Sequence, residues 1–264
     1  NVANAAVQYL KEGETKVETF TVQSADGTTH TVTITITGTN DLPTIAGDDT
    51  GAVTEDAANP TLTDSGVLTV TDADAGQSVF VAGNGVASNG ALGSLTITEG
   101  GAWTYNVANA AVQYLKEGET KVETFTVQSA DGTTHTVTIT ITGANDAPVL
   151  QADVGAVNED AILTVNAASG VLANDSDVDG NALKVTGILN GTTGTATTVN
   201  ASGDTVLSNS YGTLTIRADG SYSFNANGAD AQKLAAGQTA GVVFTYTATD
   251  GTVSQTSTLT ITIT

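Results

Sequence analysis

The chain has 264 residues and a formal net charge of −21, from 28 acidic and 7 basic side chains. Such a charge argues against nucleic acid and anionic membrane, which are held by Lys and Arg, and favours cations. There is no cysteine to form a disulfide and no apolar run long enough to insert in a membrane; with no methionine and no signal peptide, the sequence reads as a piece of a longer chain.

Residues 1–38 recur without change as residues 106–143. An internal repeat of this length fits a sandwich-sized domain rather than a short solenoid unit. Taken in order, residues 1–41 hold the last two strands of one unit, without a partner sheet. A lone hairpin is marginal in water. It is disordered, or completed by strands of another chain, or left over from where the piece was cut. Gly38-Thr39-Asn40-Asp41-Leu42-Pro43 closes it: glycine ends the strand, Asn-Asp turns, and proline refuses a ladder hydrogen bond.

Residues 42–146 read as a complete β-sandwich repeat. Strands are predicted at Val67–Thr71, Ser94–Thr98 and Ala102–Val107. The one helix candidate is Ala110–Lys116. Thr124-Phe125-Thr126-Val127 and the run Thr136-Val137-Thr138-Ile139-Thr140-Ile141-Thr142 alternate with period two, and Asp131-Gly132 is their hairpin turn. Gly143-Ala144-Asn145-Asp146-Ala147-Pro148 repeats the earlier junction. Residues 147–264 are a diverged second copy, in which Phe244 and Asp250-Gly251 align with Phe125 and Asp131-Gly132. Its extra length lies in Gly187–Asn209, expected as a long hairpin or loop. Short strands at close turn spacing imply an all-β chain of tandem immunoglobulin-like sandwiches.

Acidic residues recur at the predicted strand ends. Asn40-Asp41 and Asn145-Asp146 lie in the junctions, Glu55-Asp56 and Glu159-Asp160 at the first strands, and Asp72-Ala73-Asp74 and Asp177-Val178-Asp179 after the second. Asp131 and Asp250 lie in the last hairpin turns, and Asp175 is an additional candidate. A D-x-D pair on extended chain points both carboxylates the same way. At ~5 Å, two carboxylates repel by roughly 3 kcal/mol at an effective dielectric of about 20. Calcium takes six to eight oxygen ligands and reverses that repulsion. His30 and His135 are repeat copies on threonine-flanked strands and read as surface residues, and Trp103 as core.

The order of N-D-x-P, V-x-E-D, D-x-D-x-G and a late D-G before an alternating strand resembles the cadherin calcium scheme. It also resembles the VCBS and cadherin-like repeats of large bacterial RTX surface adhesins. Asn174-Asp175-Ser176-Asp177-Val178-Asp179-Gly180 and Ala218-Asp219-Gly220-Ser221-Tyr222 are similar to the bacterial repeats. The resemblance implies cadherin-like domains in a string, with calcium (Ca2+) at each junction. One junction would use Asn40, Asp41, Asp72, Asp74 and Asp131. The next would use Glu55, Asn145, Asp146, Asp177, Asp179 and Asp250. The linker lacks the second asparagine of the cadherin N-D-N and there is no D-R-E, so the resemblance implies one or two ions per junction rather than three.

The function expected from this is a calcium-stiffened extender of a bacterial cell-surface adhesin, extracellular, serving attachment or biofilm, and not an enzyme. Its partners are the neighbouring repeats of the same chain. One alternative is a ligand-binding adhesin module with residues 187–209 as the contact surface. The other is an extracellular filament subunit that self-associates through the N-terminal half-domain by β-strand complementation.

Overall fold

A computed structural model describes residues 1–56 and 59–264. The chain divides into two compact units, Asn1–Ala144 and Asn145–Thr264. Both are all-β; among the described residues the helical turns are single 3-10 turns, and no helix is long and apolar enough to cross a membrane.

Unit 1 begins with a hairpin of β1 (Thr15–Gln23) and β2 (Thr29–Thr37), which forms a two-stranded sheet of its own. The sandwich that follows uses β3 (Thr44–Gly47), β4 (Thr50–Thr54), β5 (Thr61–Thr71), β6 (Gly83–Asn84), β7 (Val86–Ala87), β8 (Ser94–Ile97), β9 (Ala102–Ala108), β10 (Thr120–Gln128) and β11 (Thr134–Thr142). One sheet has the order β4-β11-β10-β7 and the other β3-β5-β9-β8-β6. β4 lies parallel to β11, with Thr54 opposite Thr142. Within the β10–β11 hairpin Phe125 stands opposite Val137. The threonines of these strands face outward, while Phe125, Val127, Val137, Ile139 and Ile141 enter one core with Leu62, Leu68, Leu95, Trp103 and Tyr105.

Two elements depart from the sequence expectation. β5 starts at Thr61, well before Val67. Its inward positions include Asp64 and Gly66, which hide the apolar period. Asp64 Oδ2 accepts the Ala52 N–H at 2.7 Å. Gly66 is required because a Cβ there would come within 2.5 Å of the Trp103 ring. The helix expected at Ala110–Lys116 is one 3-10 turn, Asn109–Ala111. The segment is too short to nucleate an α-helix, and it tucks Val112 and Leu115 into the core instead.

Unit 2 contains β12 (Asp153–Val157), β13 (Ile162–Val165), β14 (Lys184–Asn190), β15 (Thr197–Thr198), β16 (Thr205–Ser208), β17 (Thr213–Ile216), β18 (Tyr222–Asn225), β19 (Ala240–Thr249) and β20 (Ser254–Ile263). Its sheets run β12-β20-β19-β14-β15 and β13-β18-β17-β16. As β4 does beside β11 in unit 1, β12 lies parallel to β20, with Val157 opposite Ile263. The stretch 187–209 is more ordered than a loop. It contributes β15 to one sheet and β16 to the edge of the other, and buries Val199 and Leu207.

Candidate functional site

The junction residues are fixed by close backbone packing. A Cβ on Gly143 would lie 2.3 Å from the Leu115 carbonyl oxygen, and Gly38 stands in the same relation to Leu10. Only glycine lets each strand leave its sheet past the backbone of Leu10–Lys11 or Leu115–Lys116. The Asn-Asp pair follows after one intervening residue.

In unit 1 the Asp41 N–H donates to Asp74 Oδ2 at 2.9 Å, and the Asp74 N–H donates to Asp72 Oδ1 at 2.9 Å. Gln8 Nε2 donates to Asp41 Oδ2 at 2.8 Å. Ser78 closes the D-x-D turn, accepting the Asp72 N–H and donating to the Asp72 carbonyl. Asn40 hydrogen-bonds Asp131, whose carboxylate also accepts from Ser129 and Thr133. Burial pushes the Asp131 carboxyl up, but those hydrogen bonds outweigh it and hold it below the usual range.

Unit 2 repeats the arrangement with its own residues. The Asp146 N–H donates to Asp179 Oδ2 at 2.9 Å. Asn145 Nδ2 donates to Asp250 Oδ2 at 2.9 Å. Asp250 Oδ1 accepts the N–H groups of Thr252 and Val253, and its carboxyl is lowered despite an opposing burial contribution. Asp177 Oδ1 accepts the Asn181 N–H at 3.2 Å. The Val149–Ser176 bridge ties the junction to this turn. Asn40, Asp41, Asp72, Asp74 and Asp131 therefore lie in one connected neighbourhood of unit 1. Asn145, Asp146, Asp177, Asp179 and Asp250 lie at the corresponding strand ends of unit 2.

The chemistry of these groups is unusual for a protein interior. Asp74 and Asp179 are only 1% and 4% exposed. One carboxylate oxygen on each of Asp72, Asp74, Asp177 and Asp179 is buried without a hydrogen-bond partner. None of the ion pairs among the described residues reaches them. Buried carboxylates left without a counter-charge cost several kcal/mol each. The donor set is all oxygen, which fits a hard divalent cation. Among the described residues no three Asp, Glu, His or Cys side chains are gathered around a single metal position. Each neighbourhood instead offers carboxylates with an asparagine amide and backbone carbonyls beside them.

Glu55 and Asp175 have other surroundings. Glu55 is 2% exposed, at the end of unit 1 where β11 finishes. It accepts the Ala144 N–H at 3.0 Å and Gln113 Nε2 at 2.8 Å. Asp56 and Asp160 have φ of 58° and 63°, so they serve as left-handed turn residues, a conformation Asp tolerates. The Asp175 carboxylate accepts the Gln151 N–H and the Tyr246 hydroxyl, beside Asp153. His135 is half-buried, with Nε2 3.3 Å from Asp49 Oδ2. Trp103 is core, and its Nε1–H donates to the Asp48 carbonyl.

Sequence reasoning missed several polar groups. Glu123 is 0% exposed and accepts from Leu92 N–H, Gly93 N–H and the Tyr105 hydroxyl. The signal was present: Glu123 shares the inward register of Phe125 and Val127. Unit 2 also has an open cavity of about 390 Å³ on its smaller sheet. It is lined by Asn166, Thr215, Asp219 and Ser221 around the Arg217–Asp204 ion pair.

Comparison with known proteins gives the following. Residues 40–143 and 145–264 each match the model of the bacterial cadherin-like domain. No curated protein matches the sequence. Among solved structures, the chain is similar to the protocadherin gammaB7 EC3-6 cis-dimer structure, at 12% identity and a TM-score of 0.49 over 95% of this chain. It spans 56% of that chain, little more than half. It is similar to mouse clustered PcdhgC3 EC1-3 at 13% identity and TM-score 0.44, covering 99% of this chain and 80% of that one. The titin I-band fragment I67-I69 gives 10% identity and TM-score 0.44, over 96% and 76%.

Proposed function

The chain belongs to the bacterial cadherin-like domain family, and from that premise we propose that it is a run of calcium-stiffened spacer repeats in an extracellular bacterial surface adhesin serving attachment or biofilm formation. The observation that carries this reading is the pair of copied acidic neighbourhoods, in which Asp74 and Asp179 keep buried, unpartnered carboxylate oxygens. In unit 1 the holders are Asn40, Asp41, Asp72, Asp74 and Asp131. In unit 2 they are Asn145, Asp146, Asp177, Asp179 and Asp250. Glu55 is the donor at the other end of unit 1. A bound calcium ion supplies positive charge where these carboxylates otherwise repel.

The residues themselves do the positioning. Asp74 and Asp179 each hold the backbone of a junction aspartate. Asn40 and Asn145 tie the same junction to the last hairpin turn. The junction is thus pinned at two points, and the remaining oxygens are left for the cation. A rod built this way carries load or reach rather than chemistry, so the reading is structural and not catalytic.

The test is calorimetry and small-angle scattering in calcium and in chelator. Calcium at about 100 times its dissociation constant adds about 2.7 kcal/mol, which at about 4 °C per kcal/mol for units of this size raises the melting temperature by about 10 °C. The scattering profile should lengthen and stiffen in parallel. Identical melting and scattering in both buffers would end this reading. A second reading, a ligand-binding module, draws on the Arg217 cavity. A glycan-binding signal that Arg217→Ala abolishes would favour it.

A further inference from the structure

An asparagine amide carbon lies within reach of the next backbone nitrogen, and a following glycine leaves that nitrogen unshielded by any Cβ. The sequence has four such Asn-Gly pairs, beginning at Asn84, Asn89, Asn190 and Asn227. In three of them the glycine N–H is engaged with a distant segment. Gly85 donates to the Leu95 carbonyl at 2.9 Å, Gly191 to that of Val243 at 2.8 Å and Gly228 to that of Tyr211 at 3.0 Å. Each bond holds the peptide plane of its pair in place.

Gly90 differs. Its φ is 79°, and the Ala91 N–H donates to the Ser88 carbonyl at 3.2 Å, so Ser88–Ala91 is a β-turn with glycine in the place that requires positive φ. Among the described residues the Gly90 N–H and the Asn89 side chain make no hydrogen bond. Both residues are exposed, and nothing lies within 4 Å of where a Gly90 Cβ would stand. Both flanks of the turn are anchored to β10. The Ser88 N–H donates to the Thr124 carbonyl at 2.8 Å, and Ser88 Oγ accepts the Thr124 N–H at 3.2 Å. On the far side the Leu92 and Gly93 N–H groups meet the buried Glu123 carboxylate.

We propose that Asn89 is a site of spontaneous covalent modification, where the turn deamidates and rearranges to isoaspartate, loosening the donors on Glu123 as the chain ages. The Gly90 nitrogen bonds to Asn89 Cγ and closes a five-membered imide. The Cγ–Nδ2 bond breaks, and Nδ2 leaves as ammonia with the former Gly90 proton. Water then adds to one imide carbonyl and breaks its bond to nitrogen. Opening at the main-chain carbonyl leaves the chain running through Cβ and Cγ, which is isoaspartate; opening at Cγ leaves ordinary aspartate. Isoaspartate adds an atom to the main chain between two anchored flanks. That draws Leu92 and Gly93 off the Glu123 carboxylate and leaves a buried charge short of donors. This inference stands independently of the calcium reading.

The test ages the full chain in warm, mildly alkaline buffer, with and without urea, followed by peptide mapping and enzymatic methyl labelling of isoaspartate. In urea the four Asn-Gly pairs are expected to convert at similar rates. In the folded chain Asn89 is expected to convert at least about tenfold faster than the other three, whose glycine N–H must first be released by local opening. The aged chain is expected to melt a few degrees lower in the unit 1 transition read by Trp103. Freshly prepared Asn89→Asp carries the charge on a normal backbone and is expected to melt like the fresh parent. Asn89→Gln, which would have to close a larger ring, is expected to keep its melting temperature on ageing. A folded chain in which Asn89 converts no faster than the other three overturns the proposal. So does an aged chain that carries isoaspartate at position 89 and melts as the fresh one does.

Discussion

Residues 1–38 and 106–143 have the same sequence and the same secondary structure, down to the register: Phe20 stands opposite Val32 as Phe125 stands opposite Val137. They differ in what covers them. Pairing and register are the same in both copies, while the burial of the second copy comes from residues 44–105. Secondary structure and tertiary stabilisation are separable here, as is expected when the β signal is a pleat seeking a surface to pack on.

The widest gap should appear at the aromatic position. Phe125→Ala empties a fully buried site and should cost unit 1 about 3–5 kcal/mol. Phe20→Ala changes a half-exposed ring and should cost less than about 1 kcal/mol. Trp103 is the only tryptophan and lies in the unit 1 core, so its fluorescence in urea reads both variants. Equal effects would mean that the first hairpin is packed in solution.

The glutamate pair should follow. Glu123→Ala leaves the Tyr105 hydroxyl and the Leu92 and Gly93 N–H groups without their acceptor. Burial, reinforced by Glu123, pushes that hydroxyl far up, so it stays protonated and donates to Glu123. The expected loss is about 2–4 kcal/mol. Glu18→Ala should lie within about 0.5 kcal/mol of the parent, as surface changes usually do.

The acidic neighbourhoods are a second pair of copies, and their test lies in a change of sign. Asp74→Asn and Asp179→Asn keep an acceptor for the junction N–H but remove a buried charge. In chelator each variant should melt at or above the parent. In calcium each should melt lower, by several degrees. Variants that melt lower in both buffers would show that the carboxylates serve only the turn.

Much of this was legible in the sequence. Alternation of threonine with Val and Ile specified β10, β11 and β20, and Asp-Gly marked their turns. The Asn-Asp, D-x-D and D-G groups, which the resemblance to cadherin-like repeats placed together, are joined by hydrogen bonds within each unit. Less legible were the places where a polar or small residue takes an inward position for a tertiary reason. Asp64 and Gly66 blurred β5 because their partners, the Ala52 N–H and the Trp103 ring, come from distant segments. Glu123 broke the apolar period for the same kind of reason. Asp175 carried the motif of a ligand, but its hydrogen bonds go to Tyr246 and Gln151.

That last group provides the smallest predicted effect and separates the two units. By the shared Gly-Ala-Val that follows, Asp153 aligns with Asp49, and Tyr246 aligns with Val127. In unit 1 Asp49 lies near His135 on an accessible surface. In unit 2 burial and the neighbouring Asp175 raise the Asp153 carboxyl to about 6, against weaker lowering by Tyr246 and Asn174. Asp175 is raised as well, chiefly by burial. A carboxyl raised on folding holds its proton more tightly in the native state. Its stabilising contribution is complete below the unfolded value of 3.8 and disappears as the pH climbs through about 6. Asp219, Asp230 and Asp250 are lowered, so their opposite contributions change at more acid pH. Between pH 4 and 6 unit 2 should therefore lose on the order of 1 kcal/mol, a few degrees of melting temperature, relative to unit 1, the full shift being about halved because Asp153 is only partly buried. Asp153→Asn should flatten that slope without moving the unit 1 transition read by Trp103. A slope unchanged in the variant would assign the trend to other carboxylates.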